Sequence, residues 1–213
     1  MKRIAVLAVC SLASAAALAQ TTVYNNSATP LVDGAGKQLF HASAFEFGDE
    51  ITLAAGDRMA SQFQFEYFGL AAGGSFTVRF YDNNGGGIPG KPGDLLYASG
   101  ATSILADYHK VTVDLTGLPP VTVDDTFVWS VKFDGGSGGL LLYDPPTVGS
   151  SFNDFWENGA GGWQVSQIKD GGGNIIPANF GAKLVTVPEP GTVATLLGGL
   201  AMLGVVVYRR RSA

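Results

Sequence analysis

The sequence predicts an all-β protein, built as a two-sheet β-sandwich of about eight to ten strands with a jelly-roll-like arrangement. Apolar and polar side chains alternate along much of the chain, which is the period of a strand with one buried face. Glycine supplies 30 of the 213 residues, whereas charged residues are only 15%. This composition favours turns and strands over helical bundles. No stretch between residues 20 and 187 has a helical period of useful length.

The strands follow one another along the chain with turn segments between them. In the first, Phe63, Phe65 and Tyr67 alternate with polar side chains, so the three aromatic rings are expected in the core. The same alternation predicts further strands at 75–80, 111–116, 126–133, 140–143 and 180–187. Turns are predicted at the glycine- and proline-rich clusters 71–74, 83–93, 117–120 and 135–139.

Residues 1–19 have the three zones of a secretory signal peptide: two basic residues, an apolar run, and small residues at the end. The run of about 15 apolar residues is shorter than the roughly 20 that a membrane-spanning helix needs. We therefore expect signal peptidase to cut between Ala19 and Gln20. Cys10, the one cysteine of the chain, leaves with the signal, so the exported domain is expected to contain no disulfide.

Residues 191–208 contain no charged side chain and predict a single membrane-spanning helix. At 1.5 Å per residue the helix would be about 27 Å long, just enough to cross a bilayer. A basic cluster follows it and is expected to stay in the cytoplasm, so the rest of the chain would face outward. The cluster consists of Arg209, Arg210 and Arg211.

A proline-glutamate-proline segment separates the predicted body, residues 20–187, from this span. Pro188 and Pro190 lack backbone N–H donors and hold the segment extended. It can neither join the helix nor pair well in a sheet. We therefore expect Glu189 to stay accessible to an enzyme at the membrane surface.

These C-terminal features, in this order over residues 187–213 and combined with an N-terminal signal, resemble the PEP-CTERM sorting signal of bacterial surface proteins. The resemblance implies cleavage near the motif by an exosortase, a membrane-embedded cysteine transpeptidase. It gives Pro188, Glu189 and Pro190 a role in recognition, not in catalysis. Proteins of this kind resemble components of the cell surface or of an exopolysaccharide-rich matrix. The chain would cross the inner membrane and be anchored transiently before processing.

The charge of the body argues against binding to nucleic acid. Between residues 20 and 187 there are 8 basic and 17 acidic residues, a balance of −9, although the whole chain carries −5. Such a surface repels phosphate backbones.

Two tryptophans do not follow the strand alternation. Trp156 and Trp163 lie in a segment, 151–163, where glycines and polar residues interrupt the pattern, so it is expected to be a loop. A solvent-facing indole beside Asn and Asp can stack on a sugar ring while its neighbours bond the hydroxyls. Alternatively, one or both indoles plug the open end of the sandwich.

The turn after the second strand carries a candidate calcium site. Asp82 and Asn84 place oxygen ligands in a glycine-rich loop, and Asp94 or backbone carbonyls could complete the shell of 6 to 8 oxygens that calcium needs. Asp and Asn are also ordinary turn residues, and the loop lacks the pattern of an EF-hand. No other cofactor is expected.

The chain offers little for catalysis. Residues 135–139 match G-x-S-x-G, but a strand is predicted on each side, which describes a hairpin loop and not a strand–turn–helix elbow. His41 and His109 are far apart and have no metal-binding spacing. A glycosidase needs two carboxylates about 5 to 9 Å apart, and sequence cannot measure that separation. The glutamates that could supply such a pair are Glu46, Glu50, Glu66 and Glu157.

Three functions from different classes follow. The first is an exported, non-enzymatic surface or extracellular-matrix protein, processed at its C-terminal signal. The second is a carbohydrate-binding module of the exopolysaccharide matrix that uses the two tryptophans. The third, least favoured, is a glycoside hydrolase or lyase.

Overall fold

The structure, a computed structural model, describes residues 20–87, 90–117, 119–135 and 138–189. Every regular element in these ranges is a β-strand, so the all-β prediction is confirmed. None of the described residues forms a helix suited to crossing a membrane. The predicted signal peptide, membrane span and C-terminal arginines lie outside the described residues.

The described strands form two large sheets and one two-stranded ribbon. They are β1 (Thr21–Asn26), β2 (Phe40–His41), β3 (Glu46–Thr52), β4 (Met59–Gly69), β5 (Ser75–Asp82), β6 (Leu95–Ala98), β7 (Thr102–Ser103), β8 (Asp107–Asp114), β9 (Val121–Thr122), β10 (Thr126–Asp134), β11 (Gly138–Leu141), β12 (Ser150–Ser151), β13 (Phe155–Gly159), β14 (Gly162–Ser166), β15 (Ile168–Lys169), β16 (Ile175–Ile176) and β17 (Ala182–Val187).

The first sheet is organised around β4. One edge of β4 pairs with β8 and β9, and the opposite edge pairs with β17 and β11. Beyond these, β1 pairs with β17, and β2 pairs with β11. The last strand of the body, β17, is therefore an inner strand with a neighbour on each side.

The second sheet has the order β14-β13-β3-β10-β5-β6, with β12 also beside β3 and β7 beside β5. All pairings are antiparallel. Consecutive strands β3, β4 and β5 alternate between the sheets, so the two sheets are tied together as a β-sandwich. The likeness to a jelly roll stays a prediction.

Aromatic side chains from both sheets form the core. Phe63 and Phe65 of the first sheet are fully buried, as the alternation predicts, and both contact Trp129 of the second sheet. Phe80 meets Phe63 edge to face, with ring centroids 5.0 Å apart. Each buried side chain of this size stabilises the fold by roughly 1.5–3 kcal/mol relative to an exposed one.

Parts of the second sheet differ from the prediction made from the sequence. β3 carries acidic residues on both faces, because Asp49 points into the core while Glu46 and Glu50 point outward, so it shows no apolar alternation. The segment 151–163 is not a loop: β13 and β14 form a hairpin there. β10 and β11 are in different sheets, so the two strands on either side of the predicted hairpin loop do not pair with each other.

Asp49 is the one acidic side chain of the described residues that is fully buried on the core face of a strand. Neither of its carboxylate oxygens has a partner in good hydrogen-bond geometry, and the same is true of the nearby Tyr24 hydroxyl. Burial raises the pKa of Asp49 well above its usual value, and the Phe180 N–H and Ser151 hydroxyl offset this only in part. Among the described residues, the main contributions to this balance include no lysine or arginine.

Candidate functional site

The outer face of the second sheet brings together polar side chains from five strands. Since side chains alternate along a strand, the neighbours of the core residues point outward. In one cross-strand row Trp156, Gly48, Ser130 and Arg79 are paired in succession. An adjacent row joins Trp163, Asn158 and Glu46.

Glu46 is the centre of this face. Its carboxylate accepts hydrogen bonds from Arg79 Nη1 at 2.7 Å, from the Tyr81 hydroxyl at 2.9 Å and from Ser130 Oγ at 2.6 Å. The Glu46 side chain is only 7% exposed and that of Arg79 is 26% exposed. A buried carboxylate is tolerated when a cation and several donors surround it, and Glu46 has both.

Tyr81 and Arg79 reach Glu46 from the far side of β10. Both residues are on β5, whereas Glu46 is on β3, and β10 lies between the two strands. Their side chains therefore cross above Ser130, which is fully buried although it is on the outer face. Burial and the Glu46 carboxylate raise the pKa of Tyr81, so its hydroxyl stays protonated and acts as a donor.

Beside this network is a shallow pocket of about 410 Å³. Phe45, 46% exposed, forms part of its rim and packs near Gly159. Lys132 adds a second cation and is bonded to Asp134 at 2.9 Å. We refer to this feature as the Glu46 pocket; its main lining residues are Phe45, Glu46, Arg79, Tyr81, Lys132 and Asn158.

The two predicted tryptophans have different environments. Trp163 is half-buried, and its ring meets Tyr81 edge to face with centroids 5.3 Å apart. Trp163 is on β14 and Tyr81 is on β5, and three strands lie between these two in the sheet. Their contact on the outer face therefore crosses over those strands. Trp156 is only 5% exposed and leaves little surface for a ligand to stack on. Burial raises the pKa of the adjacent Glu50, partly offset by the Trp156 and Asn83 donors.

The four glutamates suggested as a catalytic pair are dispersed. Glu66 is on the outer face of the first sheet, where Lys110 (2.8 Å), Tyr108 (2.6 Å) and Tyr143 surround it. Two packed sheets are about 10 Å apart, so Glu46 and Glu66 are too far apart to act together on one glycosidic bond. Glu50 is four residues from Glu46 along β3, about 13 Å between Cα atoms. Glu157 accepts a hydrogen bond from Ser43.

The predicted calcium ligands are close in space, but their side chains also serve the turn. Asn84 Nδ2 donates to Asp94 Oδ2, and Asn84 Oδ1 accepts from the Asp94 N–H, both at 3.0 Å. Asp82 Oδ1 accepts from the Asn83 N–H at 2.6 Å. In the described part of the chain no three His, Cys, Asp or Glu side chains form a metal-binding group. Calcium binding through Asp82, Asn84 and Asp94 stays a prediction.

The remaining catalytic candidates do not assemble. His41 is half-buried against Phe155, with ring centroids 4.7 Å apart, and burial lowers its pKa. His109 Nε2 lies 2.7 Å from the carbonyl oxygen of Ala106, on the first sheet. Ser137 of the G-x-S-x-G string lies outside the described residues, but strands, not a helix, stand on both sides of it.

Several residues of the Glu46 pocket were not singled out from the sequence. Arg79 and Lys132 are the polar positions of two predicted strands, and nothing local distinguishes them from solvated charges. Phe45 directly precedes β3 and Asn158 lies within β13, two strands that were not predicted. Alternation could have placed Arg79 and Lys132 on outer faces, but only the strand order places them on the same one.

The C-terminal hinge leaves the fold at the end of the inner strand β17. Pro188 and Glu189 follow Val187 outside the strand, and Glu189 is exposed; Pro190 lies outside the described residues. Thr21 of β1 pairs with Thr186 of β17. The predicted new N-terminus at Gln20 and the hinge are therefore at the same end of the first sheet.

Comparison with known families gives one match. The model of the PEP-CTERM protein-sorting motif matches residues 186–211. The chain thus carries this motif, which implies export, processing by an exosortase, and a surface or membrane-associated location. No curated protein matches the chain, and no solved structure does.

Proposed function

We propose that the chain, with its PEP-CTERM motif, is an exported and non-enzymatic component of the cell surface or extracellular matrix. Signal peptidase removes residues 1–19, the helix at 191–208 anchors the precursor transiently in the membrane, and an exosortase then cuts near Pro188–Pro190. The observation that carries this proposal is the match to the sorting motif, which begins at residue 186, in the last two residues of the final described strand β17.

The geometry of the hinge supports processing at this point. Residues 188–190 can extend at most about 10 Å, so the cleavage region stays close to both the membrane and the folded body. Glu189 is exposed beyond the end of β17, and an exposed extended segment fits an enzyme cleft more readily than a paired strand does. Pairing of β17 with β1 and β4 keeps the last strand within the body up to the start of the cleavage region.

The dispersed acids support a non-enzymatic role. Glu46 and Glu66 are each bonded to a cation and hydroxyl donors on opposite outer faces. A general acid must contact the atom that it protonates, and both carboxylates are instead occupied by donors of the protein itself. A glycoside hydrolase or lyase would instead turn over a polysaccharide and lose that activity when one glutamate is replaced.

Replacing Pro188, Glu189 and Pro190 together by alanine is expected to block C-terminal processing almost completely. The hinge would lose both its rigid extension and its carboxylate. Intact-mass spectrometry of the protein from its native host would then find the chain ending at Ala213, whereas the wild type ends near the hinge.

The control for this experiment is Asp124→Ala, which changes an exposed acid of the body and leaves the hinge intact. It is expected to be processed like the wild type. A wild-type C-terminus at Ala213 in cells with a working exosortase would contradict the proposal.

A second function, carbohydrate binding, is favoured by one observation, the Glu46 pocket. It combines exposed aromatic edges with fixed hydrogen-bonding side chains, the combination that small-ligand sites use. Trp163, Phe45 and Asn158 would contact the sugar. Trp156, also predicted as a glycan contact, would act by supporting the hairpin because it is 5% exposed.

Trp163→Ala is expected to weaken binding to the host's matrix polysaccharide by about tenfold or more, since aromatic anchors dominate binding energies. Trp156→Ala is expected to lower the free energy of unfolding by roughly 3–5 kcal/mol, the usual range for a buried Trp. Glycan-array binding and urea unfolding of both variants separate the two roles. Binding that is indifferent to Trp163 would count against this function.

A further inference from the structure

The Glu46 pocket differs in charge from the body that contains it. Its lining includes two cations, Arg79 and Lys132, and one carboxylate, Glu46. The body overall has about two acids for every base: 17 against 8. An anion approaching this acidic surface is therefore repelled less at the pocket than elsewhere.

Arg79 is held in place and keeps donors free. Glu46 binds one of its nitrogens, Nη1, at 2.7 Å, and this anchors the guanidinium at the pocket. A guanidinium has five N–H donors, and the Glu46 carboxylate and the neighbouring Tyr81 hydroxyl occupy only some of them. Its side chain is 26% exposed, so a ligand can reach the remaining donors.

Lys132 can be recruited at little cost. Its partner Asp134 is 48% exposed, and exposed ion pairs of this kind contribute little to stability. The ammonium can therefore turn from Asp134 to a ligand in the pocket. Arg79 and Lys132 together can hold a carboxylate, the first through its planar fork and the second as a point charge.

The aromatic side chains supply the second half of the site. Phe45 is 46% exposed on the rim, and Trp163 borders the pocket through its contact with Tyr81. Flat apolar faces beside hydrogen-bonding groups suit a pyranose ring, whose C–H faces are apolar and whose edges are hydroxylated. Two cations are too few to track a nucleic-acid backbone on an acidic body.

We propose that the Glu46 pocket binds a hexuronate unit of an extracellular polysaccharide, with its carboxylate on Arg79 and Lys132 and its ring against Phe45 and Trp163. The proposal rests on the proposed export, which places the pocket among such polymers. The ligand class is an acidic saccharide, and a neutral saccharide is the competing outcome of the test.

The test uses calorimetry on processed protein purified from its host, with trigalacturonic acid and its fully methyl-esterified form as probes. The two probes have the same rings and differ in charge. The acid is expected to bind at least tenfold more tightly than the ester. Lys132→Gln is expected to weaken binding of the acid about tenfold and to leave binding of the ester unchanged.

Lys169→Gln, which changes an exposed lysine of β15, is the matched control and is expected to bind both probes like the wild type. Arg79→Lys keeps the charge beside Glu46 but loses the fork, so it should also weaken binding of the acid. If Arg79→Lys does not fold, the Lys132 result decides. Failure to bind the acid, equal affinity for acid and ester, or no effect of Lys132→Gln would each overturn the proposal.

The intact mass of the protein, measured on the same preparation, gives the position of its C-terminus. This measurement keeps the test of the pocket separate from the test of the proposed function. A correctly processed chain that does not prefer the acid overturns the pocket proposal alone. A chain ending at Ala213 contradicts the processing proposal, whatever the calorimetry gives.

Discussion

Gly48→Ala is expected to lower the free energy of unfolding by about 3 kcal/mol or more, the upper end of the effects of overpacking. A Cβ at this position would overlap the carbonyl oxygen of Trp129 and lie 2.5 Å from the Cα of Ser130. Both atoms belong to the backbone of β10, so no rotamer change can relieve the overlap. β3 would have to move away from β10 and lengthen the hydrogen bonds between them.

Gly100→Ala is the matched control for this substitution. Gly100 is exposed, and nothing lies within 4 Å of the position its Cβ would take. The free energy of unfolding of the Gly100→Ala variant is expected to stay within about 1 kcal/mol of that of the wild type. Urea unfolding of the three proteins makes the comparison. If Gly48→Ala were as stable as Gly100→Ala, the close approach of β3 and β10 would be wrong.

Gly48→Ala is also expected to disturb the Glu46 pocket. Gly48 is two residues from Glu46 on β3, and Ser130, whose hydroxyl donates to Glu46, is its cross-strand partner. Movement of β3 would therefore separate Glu46 from Ser130, Arg79 and Tyr81. Glycine at this position serves both the stability of the second sheet and the geometry of the site.

Asp49→Asn is expected to stabilise the protein at neutral pH and raise its Tm by at least about 3 °C, the shift that about 1 kcal/mol produces in a domain of this size. Burial raises the pKa of Asp49 well above its usual 3.8, so the folded state favours the protonated carboxyl. The stability that this group contributes is complete below the unfolded pKa. It is lost as the pH rises through the raised pKa of the folded state.

The asparagine cannot ionise, so this loss disappears. Its amide oxygen can still accept from the Phe180 N–H and the Ser151 hydroxyl, the two donors that face the Asp49 carboxyl. Thermal unfolding of the wild type and the variant between pH 4 and pH 8 measures the effect, which should grow with pH. Asp124→Asn changes an exposed acid and is expected to leave this pH dependence unaltered. A variant less stable than the wild type at pH 7 would show that Asp49 is ionised and stabilising.

Local alternation predicted the strands whose two faces differ. Phe63, Phe65 and Tyr67 are buried, and the 126–133 segment forms most of β10. The pattern failed where a strand carries polar residues on both faces, as in β3, because Asp49 occupies a core position. It failed again at β13 and β14, where Glu157 and Gln164 fall on the same side as the buried Phe155 and break the expected apolar face.

The candidate site was only partly accessible from the sequence. Trp163 was singled out because it lies among polar residues, and it does border the Glu46 pocket. Trp156 carried the same local signal but is buried. Glu46 and Arg79 are separated by 33 residues and have no common motif, so nothing in the linear pattern joins them.

A surface or membrane-associated location could be inferred from the sequence by itself, because sorting enzymes read short segments in linear order. The prolines, apolar run and charges at the C-terminal end have the same meaning whatever the body folds into, and the PEP-CTERM match at 186–211 agrees. The alternation likewise determined that the body is made of strands, since it depends on neighbouring residues alone.

Which polar side chains share a face was decided only by the tertiary structure. Strand order and register place Arg79, Tyr81 and Ser130 around the Glu46 carboxylate, and they depend on pairings between residues far apart in the chain. The free energy that selects those pairings comes from burying aromatic rings in the core, on the opposite face of the same strands. The composition of the outer face therefore results from core packing, which no local segment of the sequence encodes.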